Sequence, residues 1–203
     1  QMTSIASLMT LNAGAGLLAS FLVGPIADRA GRKITMIIGL AGSGLLYLAM
    51  IPAETLLAFA ILMTLRGFFN PLYRVGADAM VADLIPERHR SDAYALTRLS
   101  KNVGIALGPA VGGFVATASY AIAFWAAAVG LVIFSLLMIF FARETLPEDE
   151  LQQTKAGGLR SYLNLLGDRA FIFFILAFTL TQIGATIVWV LLGVYAKQNY
   201  QIL

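Results

Sequence analysis

Arg66, Asn70, Arg74 and Asp78 stand four apart within an otherwise apolar stretch, with Tyr73 beside them. At ~100° per residue each step of four drifts only ~40° around a helix, so these side chains form one polar stripe. Two guanidiniums, an amide, a phenol and a carboxylate on one face are suited to line water. They could hold an anionic group, pair with an acid on a neighbouring helix, or alter the proton affinity of a nearby carboxylate. Asp78 is not the direct partner of Arg66, because 12 residues separate them along the helix, about 18 Å at 1.5 Å per residue. Asp83 falls five residues beyond Asp78, about 140° around the helix, and suits a partner off the stripe. A milder strip of Thr179, Gln182, Thr186 and Trp189 follows i, i+3, i+7, i+10 spacing. It either lines a cavity or bonds backbone and neighbouring helices. No H-E-x-x-H, no G-x-S-x-G and no paired intramembrane aspartates are present, so an enzyme is not expected. With no cysteine and the single His89, neither a metal site nor a cofactor is expected.

The elements that must position these groups are long apolar runs. Hydrophobic residues make up 59% of the chain and charged residues 12%, against about 25% charged in a soluble domain. Six segments can be drawn: Met2–Ala27, Ile34–Ile51, Thr55–Met80, Asp92–Thr117, Tyr120–Ala142 and Ala170–Ala196. Each approaches the ~20 residues that cross a ~30 Å hydrocarbon layer at ~1.5 Å per residue. The expected fold is therefore an all-α, polytopic membrane helix bundle in contact with lipid. Arg66 is 11 residues past Thr55, about 16 Å along the third span and near its middle. A cation at that depth costs about 2.5–3.5 kcal/mol on insertion scales, so it should face a cavity or a partner.

Eleven of the 14 Lys and Arg residues fall in or beside the first, third and fifth loops. The second and fourth loops have none, Lys197 follows the last span, and Arg66 and Arg74 lie within one. Positive-inside logic places the odd loops, including residues 28–33, in the cytoplasm of a multi-pass protein of the cell membrane. The net charge of +3 thus reflects topology, and no nucleic-acid partner is expected. The fifth loop is the long one. It opens on Glu144, Glu148, Asp149 and Glu150, passes Gly157 and Gly158, and then spaces Leu159, Tyr162, Leu163 and Leu166 as a short interfacial helix would. A flexible connector is the other reading. Either way the chain divides at 1–142, 143–169 and 170–203.

Two motifs carry a resemblance. The first loop reads Gly24-Pro-Ile-Ala-Asp28-Arg29-Ala-Gly31-Arg32-Lys33, a G-x-x-x-D-R-x-G-R-K hairpin between two spans, with Gly24 and Gly31 expected at sharp bends. The fourth span contains Gly104-x-x-x-Gly108-Pro109-x-x-Gly112-Gly113, glycines whose spacing lets a neighbouring backbone approach closely. On these residues the chain resembles the major facilitator superfamily of secondary transporters. The second motif is similar to that of the family's proton-coupled antiporters, although Ala95 stands where that pattern has a further glycine.

The resemblance implies that the six spans correspond to family helices two to seven of an expected twelve. The other helices of the same polypeptide would then be partners. It implies a small-molecule substrate, protons as coupling ion, and export of drug-like or amphipathic compounds by alternating access. Uptake of sugars or other metabolites, or a non-transporting fragment, remain open alternatives. It further implies that Asp28, Arg29, Arg32 and Asp83 form a conformational charge network. The resemblance also implies that the third span here, with Arg66, Asn70, Tyr73, Arg74 and Asp78, and the last span, the family's seventh helix, with Gln182, Thr186 and Trp189, border the central cavity.

Overall fold

The computed structural model describes residues 2–146 and 167–200; the backbone alone is described at 2–6, 116, 118, 189, 190, 192–194, 196–198 and 200. The regular structure of the described residues is helical: α1 (Met2–Ala30), α2 (Arg32–Met50), α3 (Leu56–Leu84), α4 (Glu87–Ala118), α5 (Tyr120–Phe141) and α6 (Arg169–Tyr200). Two compact units divide the chain, Gln1–Thr154 with α1 to α5 and Lys155–Leu203 with α6. The acidic and interfacial-helix segments read from residues 148–150 and 157–166 lie outside the described residues.

Helix starts follow local chemistry. Thr55 Oγ1 accepts from the Ala58 amide at 3.1 Å ahead of α3, and Ser119 Oγ accepts from Ala121 at 3.2 Å ahead of α5. Asp168 Oδ1 accepts from Ala170 and Phe171 at 2.9 and 3.3 Å ahead of α6. Each satisfies an amide that the first helical turn leaves without a partner. The α1–α2 hairpin is shorter than its motif. Helix α1 runs through Gly24 and Pro25 to Ala30, and Gly31 alone separates it from α2. Gly24 is therefore inside a helix, not at a bend: the adjoining Val23 is fully buried in a cluster with Ala19 and Leu72 that holds this turn against α3. The reversal falls on Gly31, whose φ of +96° is a conformation that side-chain-bearing residues rarely adopt.

In the first unit α3 packs between α1 and α2, α2 also packs on α5, and α4 lies lightly against α3 and α5. One core cluster joins Met36 and Leu40 of α2, Met80 of α3 and Met138 of α5. Close approach is set by two glycines. A methyl built on Gly67 would run into the Asn12 carbonyl oxygen, and Asn12 Nδ2 donates across the same contact to Met63 O at 2.7 Å. On Gly39 it would stand 2.7 Å from the Tyr73 amide nitrogen, so α2 and α3 nearly touch there.

The apolar surface is outermost. Phe114, Phe140 and Phe141 are 81%, 77% and 80% exposed, which in water would be unfavourable and in hydrocarbon is not. Among the described residues, five of the six helices are long and apolar enough to cross a membrane, and α4 is not one of them. Its first half carries Glu87, Arg88, Arg90, Asp92, Arg98 and Lys101, leaving 17 uncharged residues from Asn102 to Ala118. At 1.5 Å per residue those cover about 25 Å, short of the hydrocarbon layer. The fourth span expected from sequence is thus a helix whose polar end projects beyond its apolar half.

Candidate functional site

A cleft of about 420 Å³ opens between α2, α3 and α5. Helix α3 contributes Arg66, Asn70 and Tyr73, helix α2 contributes Gly39, Ser43 and Tyr47, and α5 contributes the small residues Ala126, Ala127 and Gly130. Arg66 Nε donates to the Tyr47 hydroxyl at 2.9 Å, and its Cζ lies 5.1 Å from the centre of the Tyr47 ring. A charged donor bound to a neutral hydroxyl is stronger than a neutral pair, and the aromatic ring adds cation–π attraction. Aromatic packing holds both tyrosines: Tyr47 lies 6.1 Å from Phe124 and Tyr73 meets Phe134 edge-on at 5.7 Å.

The polar stripe of α3 is thus shared between two places. Arg66, Asn70 and Tyr73 line the cleft, whereas Arg74 and Asp78 are exposed and lie outside its lining. Beside Asp78, the Tyr94 hydroxyl of α4 donates to its backbone carbonyl at 3.0 Å. Sequence reasoning missed Tyr47 and Ser43. Their signal was legible, since they are polar groups four apart in an otherwise apolar helix, in line with Gly39. The small floor on α5 had no such signal, because alanine and glycine in an apolar run announce nothing by spacing.

In the second unit, Gln182 and Thr186 are exposed on α6, and Thr186 Oγ1 donates to the Gln182 carbonyl at 2.8 Å. That bond is the backbone use of a membrane-helix threonine. The Trp189 side chain lies outside the described residues. On α4, a methyl built on Gly104, Gly108, Gly112 or Gly113 would meet nothing within 4 Å, so the glycine face around Pro109 is open among the described residues.

A second constellation surrounds the hairpin. Arg32 Nη1 is ion-paired with Asp83 Oδ2, and it also donates to Ala79 O at 3.4 Å. Thr145 Oγ1 donates to the same Asp83 oxygen at 2.8 Å, and Lys33 Nζ donates to Ile139 O at 2.8 Å. Neither Asp28 nor Arg29 joins this pair among the described residues. The group that does join was not expected. Glu144, just past α5, accepts the amides of Arg32 at 2.9 Å and Lys33 at 3.1 Å, capping the start of α2. Its Oε1 also accepts from its own neighbours Thr145 and Leu146, at 3.0 and 3.2 Å. Free amides and the helix dipole both favour a carboxylate there. A methyl on Gly31 would stand 2.5 Å from Glu144 Oε2, so the hairpin glycine serves the cap as well as the turn. From sequence Glu144 was merely the first residue of an acidic loop, since capping from 112 residues away leaves no local pattern.

Glu144→Ala is expected to lower stability by about 1 kcal/mol, the worth of a helix cap. A melting curve of the purified protein in detergent checks this. Glu144→Gln should lose less, because the amide oxygen still accepts. An unchanged melting temperature for Glu144→Ala would remove the cap from the account.

Comparison with known proteins places these features. The family model described as Major Facilitator Superfamily matches residues 1–202. The chain is 29% identical over 176 residues to a Na(+), Li(+), K(+)/H(+) antiporter of Planococcus maritimus, covering 78% of the chain and 41% of that protein. It is 37% identical over 131 residues to the multidrug resistance protein MdtG of Salmonella choleraesuis (strain SC-B67), covering 63% and 31%. With the class H tetracycline resistance protein of Pasteurella multocida the identity is 30% over 138 residues, covering 68% and 34%. The chain spans less than half the length of each of these curated relatives.

Proposed function

The chain belongs to the Major Facilitator Superfamily, and on that footing we propose that it is part of a proton-coupled exporter of small, amphipathic compounds working by alternating access. The observation that carries this reading is Arg66, a cation near the middle of an apolar helix that faces a polar-lined cleft. Intramembrane ionisable groups are costly and mark solute or proton paths. Relatives named as multidrug resistance proteins and as a cation/H(+) antiporter support export and proton exchange.

In this reading residues 1–142 form most of one helical half, 143–169 the link between halves, and 170–203 the start of the other. Further helices of the same polypeptide complete the path. Arg66, Asn70 and Tyr73 meet solute or proton in the cleft. Arg74 and Asp78 extend that surface along α3, and in the second unit Gln182, Thr186 and Trp189 are assigned to solute contact. The open glycine face of α4 receives a neighbouring helix. The hairpin with Asp28, Arg29, Arg32 and Asp83 governs conformation and does not touch solute. The test is flux: the polypeptide carrying this chain, reconstituted in liposomes, should dissipate an imposed pH gradient when an exported compound is added. A gradient indifferent to every compound of a broad panel would reject proton-coupled export.

The α1–α2 hairpin is assigned to the cytoplasm of the cell membrane. Since the chain has no cysteine, single cysteines at Ala30 and Ser119 can be probed in intact cells with an impermeant thiol reagent. Position 119 is expected to label and position 30 to stay protected. The reverse pattern would invert the topology.

A further inference from the structure

Among the described residues the cleft is lined by one cation and by no carboxylate. Arg66 uses Nε on the Tyr47 hydroxyl, and its two terminal nitrogens have no partner among the described residues. The planar fork is thus fixed along one edge and available along the other, where it matches a carboxylate in two parallel hydrogen bonds. Asn70 and Tyr73 follow on the same helix and Ser43 faces them from α2, so further donors surround the place an anionic head would occupy. Opposite them α5 contributes Ala126, Ala127, Gly130 and Leu131, and a methyl built on Gly130 would meet no other group within 4 Å. Three small residues beside Leu131 leave room on this wall for a flat apolar body. The volume of about 420 Å³ lies within the ~300–1,000 Å³ usual for small-molecule sites.

We propose that the cleft selects organic anions, specifically planar aromatic carboxylates, with the head on the Arg66 fork and the ring on the Ala126–Gly130 floor. This rests on the transporter reading and narrows its substrate class. A metal cation or an ammonium compound would meet a fixed like charge there, with no acidic group in the described lining to offset it. The relative named for sodium, lithium and potassium exchange therefore gives no guide to this cleft.

The test uses three probes of one shape: 1-naphthoate, 1-naphthylmethylammonium and neutral 1-naphthylmethanol. Their equilibrium binding is measured on the polypeptide carrying this chain, in nanodiscs. Naphthoate should bind at least about tenfold more tightly than the ammonium probe, a difference of about 1.4 kcal/mol. Arg66→Gln should erase that preference while the neutral alcohol binds within about twofold of wild type, which shows that the variant is folded. Tyr47→Phe keeps the charge and frees Nε, so it should weaken naphthoate binding while preserving the preference for the anion. Equal or tighter binding of the ammonium probe would overturn the proposal. So would naphthoate binding that ignores Arg66→Gln, or its absence because an acidic side chain of the protein occupies the fork. Flux is scored separately. Naphthoate bound without any proton-coupled flux would reject transport and keep the anion site; flux of the ammonium probe alone would do the reverse.

Discussion

Arg66→Ala is expected to abolish proton-coupled transport, a loss of at least about 100-fold in turnover, while the protein still inserts. Removing the cation relieves the helix of about 2.5–3.5 kcal/mol of insertion cost, so expression should not fall. The Tyr47 hydroxyl loses its donor but can turn to water in the open cleft, for about 1 kcal/mol at most. What disappears is the one charged side chain in the described cleft lining, the group that on our proposal holds a solute or a titrating carboxylate. Arg66→Lys keeps a charge on a longer, unforked stem and cannot reproduce the Nε bond to Tyr47 together with two free donors. It should retain a minor fraction of the rate. Flux measured in liposomes against a pH gradient separates the two variants. Full-rate coupled flux by Arg66→Ala would reduce Arg66 to a packing or snorkelling residue.

Why Arg66 was legible in sequence, and Glu144 was not, has a physical basis. Charge inside an apolar run is conspicuous because the bilayer penalises it, so its presence alone signals a use. The same contrast revealed the helices of the described residues, while the polar stripe is divided, with Arg74 and Asp78 outside the cleft. It failed where a segment is only half apolar, as in α4, whose charged first half is part of one continuous helix from Glu87 to Ala118. It failed again at Gly24, because a glycine can bend a chain or merely occupy a tight helix face. Which of the two happens depends on tertiary packing around Val23. The partnership of Glu144 with Arg32 and Lys33 lies further still beyond pattern reading. Any exposed acid after α5 could have been nominated, and only the packing of α5 on α2 brings this one to the α2 amides. The cleft is an intermediate case. Its charged wall was visible on α3, its tyrosine could have been found on α2, and its floor required the fold.

The Arg32–Asp83 pair is expected to control turnover more than affinity. The Arg32 side chain is 11% exposed and that of Asp83 24%, so water replaces this pair poorly when it is broken. Breaking a buried pair by removing one member costs about 3–5 kcal/mol, and this partly exposed pair belongs at the lower end. About 3 kcal/mol corresponds to roughly a 100-fold shift between two conformations, provided the pair exists in only one of them. We propose that it does so, since the pair ties α2 to the end of α3 and, through Thr145, to the segment after α5. A rigid rearrangement of these ends cannot preserve all three. Arg32→Ala and Asp83→Ala should therefore each lower kcat severalfold to a hundredfold, with KM changed by about threefold or less. The charge swap Arg32→Asp with Asp83→Arg should recover part of the rate. Recovery stays partial because an aspartate at position 32 would stand next to the Glu144 carboxylate that caps the same helix, and like charges there repel. A swap no better than either single variant, or single variants that change KM alone, would show that the pair does not work as a conformational latch.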